Sequence, residues 1–397
     1  MPYRAVAAEA DRGDRVPGRV LVASHRKKLA VLQVGKLYSP YIGGVEQVVK
    51  TIAEGLRDVV TMRVLVCNTR PVTERAFVNG VDVTRAASLG LAYSMPLSGS
   101  FFAEFRRASK SADILQFHMP FPLGDLAGLL FRRRGKVVVW WHSEVVRQRV
   151  FAMLYAPLMK LFLRKATKIV VATPNHVRYT PALAPHKDKC VVIPFGIDTR
   201  KYELTDEIRI RADAIRQMHG TPLAVFVGRL VYYKGVETLV RAMADVSGHL
   251  IIIGDGPLEP RLRAMVAVLG IQSRVSFVGV VSDEDLLAYF HACDVLVLPS
   301  VARSEAFGLV QLEAMACGKP VINTRIETGV PSVSVDGQTG ITVSPGDPGE
   351  LAAAMNALFQ NHGMRETYGR NALARVRERY NVSMMLTSLV RLYESIA

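Results

Sequence analysis

Short, nearly continuous apolar runs punctuate the chain. Each ends in turn residues and is followed by a longer segment with apolar residues at helical spacing. In the first half the runs lie at 29–34, 62–67, 114–117, 137–141, 169–172 and 190–193; in the second they lie at 223–227, 249–253, 275–278, 295–298 and 320–323. They are rich in Val and Ile and lack polar alternation, as strands covered on both faces of a parallel sheet are. Strands alternating with helices in both halves predict an α/β chain of two doubly wound, Rossmann-like parallel-sheet domains. Turn residues Pro194-Phe195-Gly196-Ile197-Asp198 follow a strand and mark the expected boundary. The reading is a poorly ordered tail over 1–28, an N-terminal domain over 29–198 and a C-terminal domain over 199–380. A last amphipathic helix within 381–397 is expected to cross back onto the first domain.

Charge changes this picture by dividing it. The 397 residues carry a formal net charge of +15, but residues 1–200 hold +17 and residues 201–397 hold −2. The first domain alone therefore seeks an anionic partner: phosphate, anionic lipid or nucleic acid. No apolar run approaches the roughly 20 residues that span a bilayer, and the first residues lack an apolar signal core. The expectation is a cytoplasmic protein that is soluble or peripheral to a membrane. The four cysteines, Cys67, Cys190, Cys293 and Cys317, are scattered without metal-site spacing. That pattern excludes a disulfide scaffold and a structural zinc site.

Ligands of open parallel sheets bind beyond the carboxyl ends of the strands, so the loops there hold the candidate chemistry. After the first strand comes Ser39-Pro40-Tyr41-Ile42-Gly43-Gly44-Val45-Glu46. Gly43 and Gly44 would let a phosphate approach the free amides of a helix start, or would simply form a tight turn. After 223–227, Arg229 and Lys234 flank a short loop. They suit a diphosphate, or are two solvated charges. The segment Ser304-Glu305-Ala306-Phe307-Gly308-Leu309-Val310-Gln311-Leu312-Glu313 joins a loop to a helix beginning near Gly308. Its first amides could meet a phosphate, with Glu305 holding a group beyond it and Glu313 gripping a hydroxyl. A solvated Glu313 is disfavoured by its apolar neighbours. Gly254-Asp255-Gly256-Pro257 and the strand end at Val278 could present backbone to a nucleobase, or be ordinary turns.

In the first domain His118 and His142 close consecutive strands and could both face a cleft, although a lone histidine there is more often structural. Asp283-Glu284-Asp285 contains an Asp-x-Asp, a pattern that often holds a divalent ion. Following Ser282, it reads instead as a helix cap, so no metal and no cofactor are expected.

Together these loops resemble the family 4 glycosyltransferases, which have the GT-B fold of two domains facing across a cleft and retain anomeric configuration. The resemblance covers about residues 30–395. Its most specific motif is the Glu-x7-Glu run from Glu305 to Glu313. By what it implies, Arg229 and Lys234 bind the donor diphosphate, Glu305 contacts the donor sugar and Glu313 takes the ribose hydroxyls. Gly43 and Gly44 then lie near the phosphates, and His118 lies near the transferred sugar and its 6-hydroxyl. Gly254, Asp255, Gly256, Val278, Phe307, Gly308 and Leu309 line the donor, and His142 lines the acceptor side. The stretch Trp141-His142-Ser143-Glu144-Val145-Val146-Arg147-Gln148 looks like bacterial polysaccharide mannosyltransferases, which pair GDP-mannose with a polyprenyl-diphosphate-linked saccharide acceptor. A UDP-sugar donor (glucose, GlcNAc or galactose) and a sugar-nucleotide epimerase are the alternatives. A nucleic-acid partner is not expected, since no such motif is present. The basic first domain suits an anionic membrane surface. Phe101-Phe102-Ala103-Glu104-Phe105-Arg106-Arg107-Ala108-Ser109-Lys110 is read as a helix resting on lipid and Arg132-Arg133-Arg134-Gly135-Lys136 as a second cluster, or both as a basic, solubilising surface; Leu154, Leu158, Leu161 and Phe162 are read as core.

Overall fold

The computed structural model describes residues 28–41, 43–92, 95–131, 134–143 and 149–397. Most of the expected tail, Ile42, Arg132, Arg133 and the stretch Glu144 to Gln148 lie outside the described residues. The chain divides into two compact units. One runs up to Gly196 and includes Val382–Ala397; the other is Ile197–Asn381.

The strands of the first unit are β1 (Ala30–Val34), β2 (Thr61–Cys67), β3 (Glu74–Val78), β4 (Val81–Ala86), β5 (Leu91–Ala92), β6 (Met95–Pro96), β7 (Ile114–Met119), β8 (Lys136–Trp141), β9 (Lys168–Val171) and β10 (Cys190–Val192). Eight of them form one sheet in the order β10-β9-β8-β7-β1-β2-β4-β3. Its pairings are parallel except β3 with β4, an antiparallel edge that the apolar runs did not disclose. The signal was Asn79-Gly80, whose φ values of 48° and 82° make a two-residue hairpin turn. β5 and β6 form a separate small hairpin. The central strands are covered on both faces, which explains the unbroken runs: all six residues of β7 are buried.

β7 runs two residues further than its apolar run, so His118 is the last residue but one of the strand. Two expectations for this unit are corrected. Phe101 and Phe105 are fully buried, with Phe105 6.3 Å from Phe131. That helix therefore turns its aromatics to the core and cannot rest on lipid through them. Leu154 and Leu161 of the Arg149–Lys165 helix are 77% and 47% exposed, whereas Phe162 is buried. The final helix, Val382–Ile396, buries Met385, Leu386, Leu389, Val390 and Tyr393 and belongs to the first unit. Leu386 fits against Gly55, where an added Cβ would come within 2.5 Å of it.

The second unit contains β11 (Leu223–Val227), β12 (His249–Ile253), β13 (Val275–Gly279), β14 (Val295–Val297), β15 (Val321–Thr324) and β16 (Gly340–Val343). All are parallel, in the order β13-β12-β11-β14-β15-β16. The order reverses between β11 and β14, as it does between β1 and β7 in the first unit. Connections leaving the two strands at a reversal run to opposite faces and open a crevice at their carboxyl ends. No helix among the described residues is long and apolar enough to cross a membrane.

Candidate functional site

In the second unit the loops beyond β11, β12 and β13 are laced together by their backbones. Gly228 N–H donates to the Ile253 carbonyl at 2.9 Å, Leu230 N–H to Asp255 at 2.7 Å and Gly254 N–H to Gly279 at 2.7 Å. Such contact demands glycine at two places. Gly254 has φ 123°, and a Cβ there would lie 2.2 Å from the Gly228 oxygen; at Gly256, with φ 158°, it would lie 2.5 Å from the Leu230 oxygen. Asp255 projects into solvent and Val278 is half-buried on β13.

The turn after β11 is pressed against the segment after β14. Gly235 has φ 67°, and a Cβ on it would meet the Pro299 oxygen at 1.9 Å, so only glycine fits. Val301 N–H donates to the Tyr233 carbonyl at 2.8 Å. The packing brings Lys234 Nζ to 2.5 Å from Glu305 Oε2, with only 13% and 10% of the two side chains exposed. Ser300 Oγ donates to the same carboxylate oxygen at 3.3 Å. Burial works against the Lys234 charge, but the Glu305 carboxylate and the Tyr233 phenol outweigh it and raise the pKa above the ordinary lysine value. Arg229 is exposed on the same loop. Its guanidinium makes no ion pair among the described residues, and its charge reaches Tyr233.

Gly308, at φ 72°, caps the Leu309–Ala316 helix, whose first amides have no intrahelical partner. The Phe307 ring is buried, 6.0 Å from that of Tyr380, which leaves only its backbone to serve a ligand. Gln311 braces the turn by donating from Nε2 to the Phe307 carbonyl at 2.9 Å. Glu313, in the second turn, accepts a hydrogen bond from Tyr202, a residue no motif pointed to. Burial pushes the Glu313 carboxyl up to about 7; the Tyr202 bond and the Lys234 charge pull it down, and Asp283 pushes it up. One cation, Lys234, thus lies in contact with Glu305 and within electrostatic reach of Glu313, at the reversal between β11 and β14. Ser282 Oγ accepts from Asp285 N–H, so Asp283, Glu284 and Asp285 do sit in a capped first turn.

The first unit carries a different chemistry. His118 and His142 are 1% and 6% exposed, and His118 Nδ1 lies 2.8 Å from His142 Nε2. His118 Nε2 lies 2.5 Å from Gln33 Oε1. Burial drives the His118 pKa down to about 3 and that of His142 well below its usual value, so both rings are neutral. They face each other, where two open rings had been expected. At Gly43 and Gly44, which begin the Gly44–Leu56 helix, the expected phosphate slot meets the protein's own acid. A Cβ on Gly43 would lie 2.2 Å from Glu46 Oε2, and the buried Glu46 carboxylate bonds its own backbone with Lys36 nearby. No group of three or more His, Cys, Asp or Glu among the described residues is placed to hold a metal ion.

Two family patterns match this chain: Glycosyl transferases group 1 over residues 211–375, and Glycosyltransferase Family 4 over residues 42–201. D-rhamnosyltransferase WbpZ of Pseudomonas aeruginosa is 36% identical over 353 residues, covering 88% of this chain and 92% of that protein. The chain belongs to the group 1, family 4 glycosyltransferases. It is therefore an enzyme of a retaining family. O-antigen chain mannosyltransferase C of Escherichia coli is 32% identical over 370 residues, 93% of this chain and 99% of that one. In structure the transferase resembles Anabaena HepE in complex with UDP, with a TM-score of 0.75 and 22% identity over 92% of this chain and all of that one. It also resembles sucrose-phosphate synthase from Thermosynechococcus elongatus, with a TM-score of 0.77 and 21% identity over 92% and 99%. The fold is GT-B.

Proposed function

We propose that this transferase moves a hexose, with retention, from a nucleotide diphosphate sugar to a lipid-linked saccharide on the cytoplasmic face of a bacterial membrane. Mannose from GDP-mannose is the first reading, supported by the likeness to an O-antigen mannosyltransferase over almost the whole chain. The observation that carries the donor site is the Lys234–Glu305 pair, held at 2.5 Å beside the start of the Leu309–Ala316 helix. In this reading the diphosphate takes up Lys234, Arg229 and the helix amides, and Glu305 turns to the sugar while Glu313 accepts from the ribose. The bond from the anomeric carbon to the phosphate oxygen breaks as a bond to the acceptor oxygen forms on the same face. The departing phosphate oxygen takes the acceptor's proton, so no protein base is required. Catalysis then rests on stabilising phosphate charge and on positioning. His118 enters as the first unit's group on the sugar side and His142 on the acceptor side, supported by their place at the carboxyl ends of β7 and β8, next to the reversal at β1.

One observation favours a second donor sugar. Both ring nitrogens of His118 are engaged inside the protein. A 6-hydroxyl would find no unused nitrogen there, whereas a 6-deoxy sugar such as D-rhamnose needs none; WbpZ is a D-rhamnosyltransferase. The epimerase alternative falls with the family assignment. The experiment is release of nucleoside diphosphate from GDP-mannose, GDP-D-rhamnose and UDP-sugars, with and without extracted lipid acceptor and with a chelator in parallel. Acceptor-dependent GDP release that resists the chelator is expected. Release from UDP-sugars alone would overturn the guanosine reading, and no release from any donor would overturn the site.

A further inference from the structure

Five buried polar side chains form one line through the first unit. Tyr393, on the Val382–Ile396 helix, donates its hydroxyl hydrogen to Gln116 Oε1. Gln116 Nε2 donates to Gln33 Oε1 at 3.3 Å, and His118 Nε2 lies 2.5 Å from that same oxygen. His118 Nδ1 then meets His142 Nε2 at 2.8 Å. Tyr393, Gln116 and Gln33 have no exposed surface. Gln33 comes from β1, Gln116 and His118 from β7 and His142 from the end of β8, so the line crosses neighbouring strands and ends on the last helix of the chain.

The direction of each bond follows from its first member. Because Tyr393 donates, Gln116 turns its oxygen outward and its nitrogen toward Gln33. Gln33 must then present its oxygen to both Gln116 and His118, so His118 Nε2 carries the proton. A neutral imidazole has only one, hence Nδ1 accepts and His142 donates from Nε2. The Gln116 nitrogen also lies 3.4 Å from His118 Nε2, where two N–H groups face each other and no bond forms. This direction leaves Gln33 Nε2 without a partner. The reverse direction would pair that amide with Gln116 and His118, but would strand the tyrosyl proton. Each direction leaves one buried donor group unpaired, and the Tyr393 hydroxyl, which donates to Gln116 Oε1, fixes the first.

We infer that Tyr393 is a positioning residue for His118: through Gln116 and Gln33 the last helix sets which nitrogen of His118, and in turn of His142, carries the proton. The consequence for turnover rests on the reading of His118 as a sugar-side group; the consequence for the rings does not. The measurement is ¹⁵N NMR of histidine-labelled full-length protein, with signals assigned by single substitutions, for wild type, Tyr393→Phe, Gln116→Met and Leu389→Ala. Wild type is expected to show His118 protonated at Nε2. Tyr393→Phe keeps the ring and should move His118 toward the Nδ1-protonated form. Its kcat should fall about tenfold at little change in KM, the low end of the scale on which outer partners of a functional imidazole act. Gln116→Met should give the same ring shift. Leu389→Ala, also buried on that helix, should lower Tm and leave the ring signals in place. Wild-type ring signals in both Tyr393→Phe and Gln116→Met would overturn the inference. If the rings shift but neither Tyr393→Phe nor His118→Ala changes turnover, the positioning stands and the sugar-side reading of His118 falls.

Discussion

Lys234 keeps its charge in a nearly dry position because Glu305 lies 2.5 Å away. Removing one partner of a buried pair strands the other, at about 3–5 kcal/mol. Lys234→Ala should thus lower Tm, and at saturating donor should lower kcat by at least about 10²-fold, as loss of one preorganised charge partner does. A kcat near wild type would remove Lys234 from the diphosphate. With Glu313 on the ribose, as proposed, donor binding takes on a pH dependence. Its carboxyl is raised to about 7 by burial, and only the ionised form accepts from both hydroxyls of a ribose. The KM for donor should therefore rise as pH falls from 8 to 6. Tyr202→Phe removes the bond that favours the carboxylate, so the rise should begin at higher pH. Stability runs the other way: an acid with a raised pKa adds stability below its unfolded value near 4.5, and loses it as pH rises through about 7. A KM flat with pH would separate Glu313 from the nucleotide.

At the scale of elements, the Arg149–Lys165 helix presents the outward apolar and basic face that the Phe101 helix was expected to present. Tyr155, Phe162 and Leu163 face the core, while Met153, Leu154 and Leu161 lie on the outward face with Lys160, Arg164 and Lys165. Aliphatic groups there gain from insertion, and each cation adds about 1 kcal/mol near an anionic surface. The transferase should co-sediment with anionic vesicles in a salt-dependent way and with neutral ones weakly. Leu154→Glu with Leu161→Glu should weaken that binding about tenfold or more, judged from the burial of two leucines. Equal sedimentation with both vesicle types would exclude the surface.

At the scale of the whole molecule, the chain order and the folding units differ. The last segment returns to the first unit, where it buries Leu386, Leu389, Val390 and Tyr393. At about 1.5–3 kcal/mol for each buried apolar side chain, that is comparable with the 5–15 kcal/mol by which a domain is stable. A chain stopped at Asn381 should lose the cooperative unfolding of the first unit. Its second unit should still bind donor nucleotide, as titration calorimetry beside a melting curve would show. Loss of nucleotide binding together with the melt would mean that the second unit is not independent.

The α/β class was legible because burial on both faces of a strand forces uninterrupted Val and Ile runs, and the Glu-x7-Glu spacing marked a loop feeding a helix. The antiparallel β3–β4 edge was less legible: exposed strands need no such run, and only Asn79-Gly80 announced it. Side-chain contacts were not legible at all. The meeting of Lys234 with Glu305 depends on strand order, on Gly235 lying against Pro299 and on the turn that follows β14. The line from Tyr393 to His142 depends on where the last helix docks. Residue types and local periodicity are written along the chain; which charges neutralise each other, and which nitrogen holds a proton, is decided only when distant segments share one dry interior.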